Sequence, residues 1–202
     1  MVLVKSNSMI KSIGTKKLKT AIFISGNGSN LKNLIKFSLI KKSKIEINLI
    51  ISNNKKAGGL KYSKKYNIPS KVFSFTKKDI AENKILKNLK NKKIKLICLA
   101  GFMKILSKKF IKKFKGKILN IHPSLLPKYK GLNTHERVIK NNEKFSGCTV
   151  HLVNSNLDSG KIILQKKVRI SKKDTTKSLK RKILKQEHIL YPKAIKKLLF
   201  NL

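Results

Sequence analysis

Asn120 and His122 stand two apart in "KILNIH" (117–122), an apolar run that stops at Pro123. If that run is a strand, both side chains leave it on one face. A neutral amide beside an imidazole suits a reaction that develops an oxyanion. The amide donates to the oxygen, and the imidazole donates or relays a proton. Each residue alone also has a plain reading: a strand-end Asn and a packed His. Asp158 is one of only eight acids in the chain and sits in "NSNLDSGKIILQ". A carboxylate beside His122 would hold one tautomer of the ring and raise its pKa. An Asp before Ser-Gly is equally an ordinary turn residue.

Two further stretches offer binding chemistry. "AIFISGNGSNLKNLI" (21–35) passes from an apolar run through a Gly-rich turn into a helical pattern. That order aims backbone N–H groups and a positive helix end at an anion. We expect Gly26 and Gly28 to let the backbone approach a ligand, and Ser29 or Asn30 to cap the helix or bind. A dinucleotide fingerprint needs a third Gly and a strand-end acid. Leu31 holds the first position, and "LIISNN" has Ser52 and Asn53 at the second. The Walker lysine pattern is absent as well. A small-phosphate site or a tight strand–helix turn remains. In "AGFMKILS" (100–107), Met103, Ile105 and Leu106 follow a buried strand end. Such an apolar, backbone-rich edge takes a flat heterocycle, or simply packs into the core.

The elements that must position these groups follow from periodicity. Strands are expected at 19–25, 45–52, 70–75, 94–101 and 117–122, with helices at 29–41, 57–66, 78–91 and 107–114 between them. Continuous apolar strands alternating with helices imply an open, mostly parallel twisted sheet covered on both faces. After Pro123 the pattern changes. A helix at 133–141 and neighbouring strands at 147–153 and 161–170 suggest an antiparallel or mixed edge toward the C-terminus. A last helix at 174–200 contains Pro192, where a kink is expected. In such a sheet ligands bind outside the carboxyl ends of the strands. Residues 19–202 read as one domain, and 1–18 as a disordered basic tail.

The chain has 50 Lys and Arg against eight acids in 202 residues, a formal charge of +42. Charge on this scale points to a nucleic acid or an acidic membrane. Yet the lysines lie on every expected element, Arg is scarce, no single basic block stands out, and few aromatics interleave. A whole-sequence bias accounts for this pattern. We therefore expect no specific nucleic-acid partner and no membrane, with nonspecific adhesion to polyanions at low salt. Cys98 and Cys148 lie in apolar runs and read as free thiols in a reducing cytoplasm. No Cys/His spacing is that of a metal site.

Taken together, "SGNGSNL", "AGFMKILS", "LNIHPSLLPKYKG", "GCTVHLV", "LDSGKIILQ" and "QEHILYP" occur in an order and spacing that resemble the phosphoribosylglycinamide formyltransferases, folate-dependent enzymes of purine synthesis. The resemblance runs from about Lys19 to Leu202 and implies a Rossmann-like formyltransferase fold. It implies formyl transfer from 10-formyltetrahydrofolate, as cosubstrate, to the amine of phosphoribosylglycinamide, by a monomer or homodimer. By the family pattern Asn120 and His122 stabilise the tetrahedral intermediate, and Asp158 orients and charges His122. Gly28, Ser29 and Asn30 match positions that hold the phosphoribosyl group, and Glu187 one at the glycinamide end. Met103, Lys104, Ile105 and Leu106 match the pterin-binding turn. Asn154, Ser155, Asn156 and Leu157 match the second folate loop, and Lys78 stands near an Arg used toward the folate tail.

Lys104 and Lys78 keep the charge where the family often has Arg, but not the planar fork. Leu184 and Lys185 replace polar residues on the substrate side. His135 and His151 lie in family-like stretches, and His151, on an apolar strand, reads as a structural imidazole or one behind the site. Two relatives share the Asn-x-His…Asp logic. Methionyl-tRNA formyltransferase lacks the "SGNGSNL" loop and carries an extra C-terminal domain. Formyltetrahydrofolate hydrolase carries an N-terminal regulatory domain. A polyanion-binding module on a degenerate formyltransferase scaffold is the alternative outside enzymes, and the intact Asn120, His122 and Asp158 argue against it.

Overall fold

The computed structural model describes residues 17–200. Most of the expected basic tail therefore lies outside the described residues, while Leu18 already belongs to the first strand. The strands are β1 (Leu18–Ile24), β2 (Ile45–Ser52), β3 (Ser70–Val72), β4 (Leu96–Leu99), β5 (Lys117–His122), β6 (Phe145–Leu152) and β7 (Ile162–Arg169). The helices are α1 (Ser29–Leu39), α2 (Lys61–Lys65), α3 (Lys78–Asn91), α4 (Lys108–Lys113), α5 (Thr134–Lys140) and α6 (Thr176–Phe200).

One seven-stranded sheet runs in the order β3-β2-β1-β4-β5-β6-β7. The pairs among β1 to β5 are parallel, and β6 and β7 are antiparallel to their neighbours. The apolar runs are continuous because both faces are covered. Along β1, Ile22 and Ile24 join the cluster containing Leu34 of α1 and Ile195 of α6. Ala21 and Phe23 join the opposite cluster, with Ile85 of α3 and Phe110 of α4.

Two expected strands are shorter. The strand expected at 94–101 is regular only over Leu96–Leu99, because Gly101 turns at φ 75° and carries the chain off the sheet. The strand expected at 70–75 stops at Val72, on the sheet edge, with all three residues exposed. The last helix continues through Pro192. A proline here deprives the carbonyl four residues back of its helical donor. That carbonyl belongs to His188, and Asn33 Nδ2 of α1 donates to it at 2.7 Å. The same helix buttresses the sheet under the site: Tyr191 Oη donates to the carbonyls of Leu99 and Leu119, each at 3.1 Å.

Candidate active site

The last residues of β5 put Asn120 and His122 on one face, as their spacing requires. Antiparallel pairing with β6 sets His151 opposite Asn120 and Thr149 opposite His122. The loop after β6 brings Asp158 back over this end, in a left-handed conformation at φ 45°. Its two oxygens divide the work. Oδ2 lies 3.3 Å from His122 Nδ1 and accepts from Gly131 N at 2.9 Å. Oδ1 accepts from Asn120 Nδ2 at 3.4 Å and lies 3.6 Å from His151 Nε2. Asp158, 36 residues beyond His122, thus joins the β5 pair in one largely buried cluster, with His151 behind it.

The ring partners dictate the tautomers. The Tyr129 carbonyl can only accept, so His122 Nε2 donates to it, at 2.8 Å. His151 Nδ1 donates to the Leu152 carbonyl at 2.9 Å. Its Nε2 is then free to accept from Asn120 Nδ2 at 3.2 Å, which aims the Asn120 amide. Burial pushes the Asp158 carboxyl up, but the His151 contact, the Gly131 N–H and the His122 charge together hold it below its ordinary value. His122 departs from expectation. Burial lowers its pKa by more than the Tyr129 carbonyl and Asp158 raise it, and the charges of His151 and Arg137 lower it further. The carboxylate is adjacent as expected, yet desolvation of a nearly closed site outweighs it.

Tyr129 and Gly131 are parts of the candidate site that the sequence did not single out. One short loop touches both members of the pair through its main chain. The loop is pegged by the Tyr129 ring. Tyr129 Oη donates to Glu143 Oε1 at 2.9 Å and accepts from Asn141 Nδ2 at 3.0 Å, and Arg137 stacks 5.3 Å from the ring. The positive φ at Tyr129 and at Gly131 carries no sequence signal at the tyrosine. His135 does not contact the cluster; burial, Lys180 and His122 push its pKa down to about 4.

The Gly-rich turn is corrected in two ways. Its helix cap is Gly28 at φ 71°, with no side-chain cap, so neither Ser29 nor Asn30 caps α1. Gly28 is small for packing as well: a Cβ there would lie 2.7 Å from Gly59 Cα, which the turn holds through Gly59 N to Gly26 O at 3.0 Å. Of the two turn glycines, only Gly26 faces open space. Asn30 turns inward, and its Nδ2 donates to Glu187 Oε2 of α6 at 2.7 Å. Its Oδ1 is buried without a partner. Burial raises Glu187 to about 7, against the Asn30 contact and the Lys180 charge, which lower it. Asn30 of the turn and Glu187, 157 residues apart, therefore meet.

Ser25, another residue not foreseen, ties three strand ends together. Its N donates to Gly101 O at 3.1 Å, its Oγ accepts from Met103 N at 2.7 Å and donates to Asn53 Oδ1. Beside it lies an open cavity of about 450 Å³ lined by Ser25, Asn53, Asn54, Ser74, Phe75, Thr76 and Lys104. Lys78 begins α3 and does not line it. Of the expected heterocycle edge, Met103 and Ile105 are 60% and 65% exposed, whereas Leu106 is buried in the core beside Phe110, so only its main chain is available. Asn154 to Leu157 form an exposed loop held by Asn156 N donating to Asn154 Oδ1 at 3.0 Å.

Residues 18–195 match the family model described as "Formyl transferase". The chain belongs to the formyl transferase family. It is 42% identical over 181 residues to phosphoribosylglycinamide formyltransferase of Haemophilus influenzae, covering 88% of this chain and 85% of that one. It is also 39% identical over 195 residues to the human trifunctional purine biosynthetic protein adenosine-3, covering 91% of this chain. The chain spans only 18% of the length of that trifunctional protein. A phosphoribosylglycinamide formyltransferase structure from Anaplasma phagocytophilum is similar at 44% identity and TM-score 0.85, covering 90% of this chain and 86% of the other. One from Bacillus halodurans is similar at 35% identity and TM-score 0.86, covering 90% and 95%. The formyl transferase fold thus accounts for the parallel sheet and its antiparallel edge together.

Proposed function

We propose that the chain transfers the formyl group of 10-formyltetrahydrofolate to the amine of 5-phosphoribosylglycinamide, a step of purine biosynthesis, in the cytoplasm. The observation that carries this reading is the buried Asn120–His122–Asp158 cluster, joined by distances of 3.3 and 3.4 Å. The amine nitrogen attacks the formyl carbon and a tetrahedral oxyanion forms. Asn120 Nδ2 exchanges its long contact with Asp158 Oδ1 for that oxygen and donates to it, with His151 holding the amide through the other hydrogen. His122, poised on Asp158, donates to the oxyanion and carries the amine proton away. The bond from the formyl carbon to the folate nitrogen then breaks as that proton passes from His122 to the nitrogen, and tetrahydrofolate leaves.

Other residues fit the two substrates. The N-terminal end of α1, with the main chain at Gly28, Ser29 and Asn30, suits the phosphate. Glu187, paired to Asn30, suits the glycinamide end, and the unpartnered Asn30 Oδ1 is a free acceptor there. Exposed Met103, Ile105 and Leu157 suit the flat face of a pterin, with Lys104 toward the folate carboxylates. Lys78 and Asn154 to Asn156 are assigned to the folate as well.

The test is formyl transfer by purified protein from 10-formyltetrahydrofolate, with phosphoribosylglycinamide, methionyl-tRNA and water offered as acceptors. Transfer to the ribonucleotide amine is expected. Transfer to tRNA or water alone overturns the reading.

A further inference from the structure

The lysines are spread along the sequence, but the fold collects a share of them. Residues 17–19, 41–44, 90–95 and 112–117 lead into β1, β2, β4 and β5, at the sheet edge opposite the candidate site. Main-chain hydrogen bonds join them: Leu18 N to Lys44 O at 2.7 Å, Lys95 N to Lys19 O at 3.0 Å, and Lys117 N to Lys95 O at 3.0 Å. Thirteen of these nineteen residues are Lys and none is Asp or Glu, whereas a quarter of the whole chain is basic. Lys44, Lys93, Lys95 and Lys115 are exposed. The ion pairs among the described residues use Lys128 and Lys182, not these lysines. A uniform compositional bias does not give this local density.

We propose that this edge docks the phosphate backbone of a double-stranded nucleic acid without reading its bases. Four neighbouring strands put the row from Lys44 to Lys117 across roughly 14 Å. A duplex presents about eight phosphate charges over that length. Base stacking has little to work with: Phe114 of the four segments is buried, and a single exposed ring, Phe200, stands at the edge with Lys44 Nζ 4.4 Å above it. This favours a duplex over a single strand, whose binding leans on aromatic platforms. Leu18 and Ile94 within the band pack against the two core clusters, whereas Leu39, Ile40 and Phe200 beside it are exposed, so the vesicle arm of the test separates an acyl layer from a duplex. Unpaired like charge within a Debye length of ~10 Å repels itself, and a polyanion relieves that repulsion.

The test compares two fourfold variants of equal charge. One carries Lys44→Gln, Lys93→Gln, Lys95→Gln and Lys115→Gln. The control carries Lys84→Gln, Lys166→Gln, Lys172→Gln and Lys173→Gln, all exposed and away from the edge. A labelled 24-base-pair DNA of arbitrary sequence is titrated against each over a salt series. We expect the edge variant to bind about tenfold or more weakly at 0.1 M salt, and its log–log salt slope to fall by about 0.9 for each phosphate it no longer neutralises. The control should stay near the wild type. Equal weakening in both variants overturns the proposal in favour of general adhesion. Binding of phosphatidylserine vesicles with none of the duplex overturns it too. Should the edge variant fail to fold, Lys44→Gln/Lys95→Gln and Lys93→Gln/Lys115→Gln, each against a control pair, make the same comparison. Duplex binding is measured apart from formyl transfer, so either result stands alone.

Discussion

The two edges of one sheet handle charge in opposite ways. At the carboxyl ends of β1, β4 and β5 the groups proposed for the chemistry are few, mostly buried and individually partnered, with exposed lysines such as Lys104 only at the rim. Asp158 is met by His122, Gly131, Asn120 and His151, and Glu187 by Asn30. At the amino ends of the same strands the ionisable groups are many, with several exposed and no acid in the segments that carry them. A buried charge is expensive unless each lone pair is met, so the first edge permits a single arrangement. Exposed lysines are hydrated and screened, so the second edge tolerates crowding and is defined only by density. Chemistry needs the first kind of order, and long-range attraction needs only the second.

The sharpest way to break this contrast is at Asp158. Asp158→Asn keeps the shape but leaves His122 and Gly131 without a charged partner. We expect formyl transfer to fall by about 10²–10⁴-fold, with folding retained by circular dichroism. A rate near that of the wild type removes Asp158 from the chemistry.

Glu187 gives the next largest effect, and its sign is set by burial. Its pKa rises from the ordinary carboxylate range to about 7 on folding. Between those values the folded state holds more protons, so this group's stabilisation is full at low pH and is lost as pH rises toward 7. Glu187→Gln keeps an acceptor for Asn30 and removes the titration. The variant should gain on the wild type between pH 5 and pH 8, by about 3 kcal/mol at most in urea unfolding. A difference independent of pH would mean that Glu187 is not desolvated as described.

Tyr129→Phe sharpens the contrast by loosening the peg while leaving every charged group in place. The phenyl ring keeps its stack on Arg137 but no longer bonds Glu143 and Asn141. We expect kcat to drop about tenfold through misplacement of the His122–Asp158 pair. Its pH profile should shift, since the Tyr129 carbonyl supports protonation of His122. A fall in melting temperature with an unchanged pH profile would make the peg merely structural. The smallest effect belongs to the amino edge. The fourfold lysine variant used for duplex binding should keep its formyl transfer rate within about twofold.

Much of the carboxyl edge was legible beforehand. Asn120 and His122 follow from a period of two on a buried strand, and Asp158 from the scarcity of acids. The parallel sheet followed from continuous apolar runs. The failures have physical causes. Gly28 was read as making room for a ligand, but its neighbour is Gly59, far along the chain, and only packing reveals that. His122 was expected to have a raised pKa because its partner carboxylate was foreseen, whereas its degree of burial was not. At Pro192, α6 continues, and the carbonyl of His188 receives its donor from Asn33 of another helix, a contact no local pattern announces.

The sequence by itself determined which residue types the candidate site could use, the order of strands and helices, and the total charge, because these depend on residue type and local period. Tertiary structure decided which groups face one another and how dry they are. It aimed Asn120 through His151, joined His122 and Asp158 to one loop through Tyr129 O and Gly131 N, and paired Asn30 with Glu187. It also gathered thirteen lysines from four separated segments along the opposite edge. Each of these depends on distances between residues far apart in the chain, and only the folded backbone sets those distances.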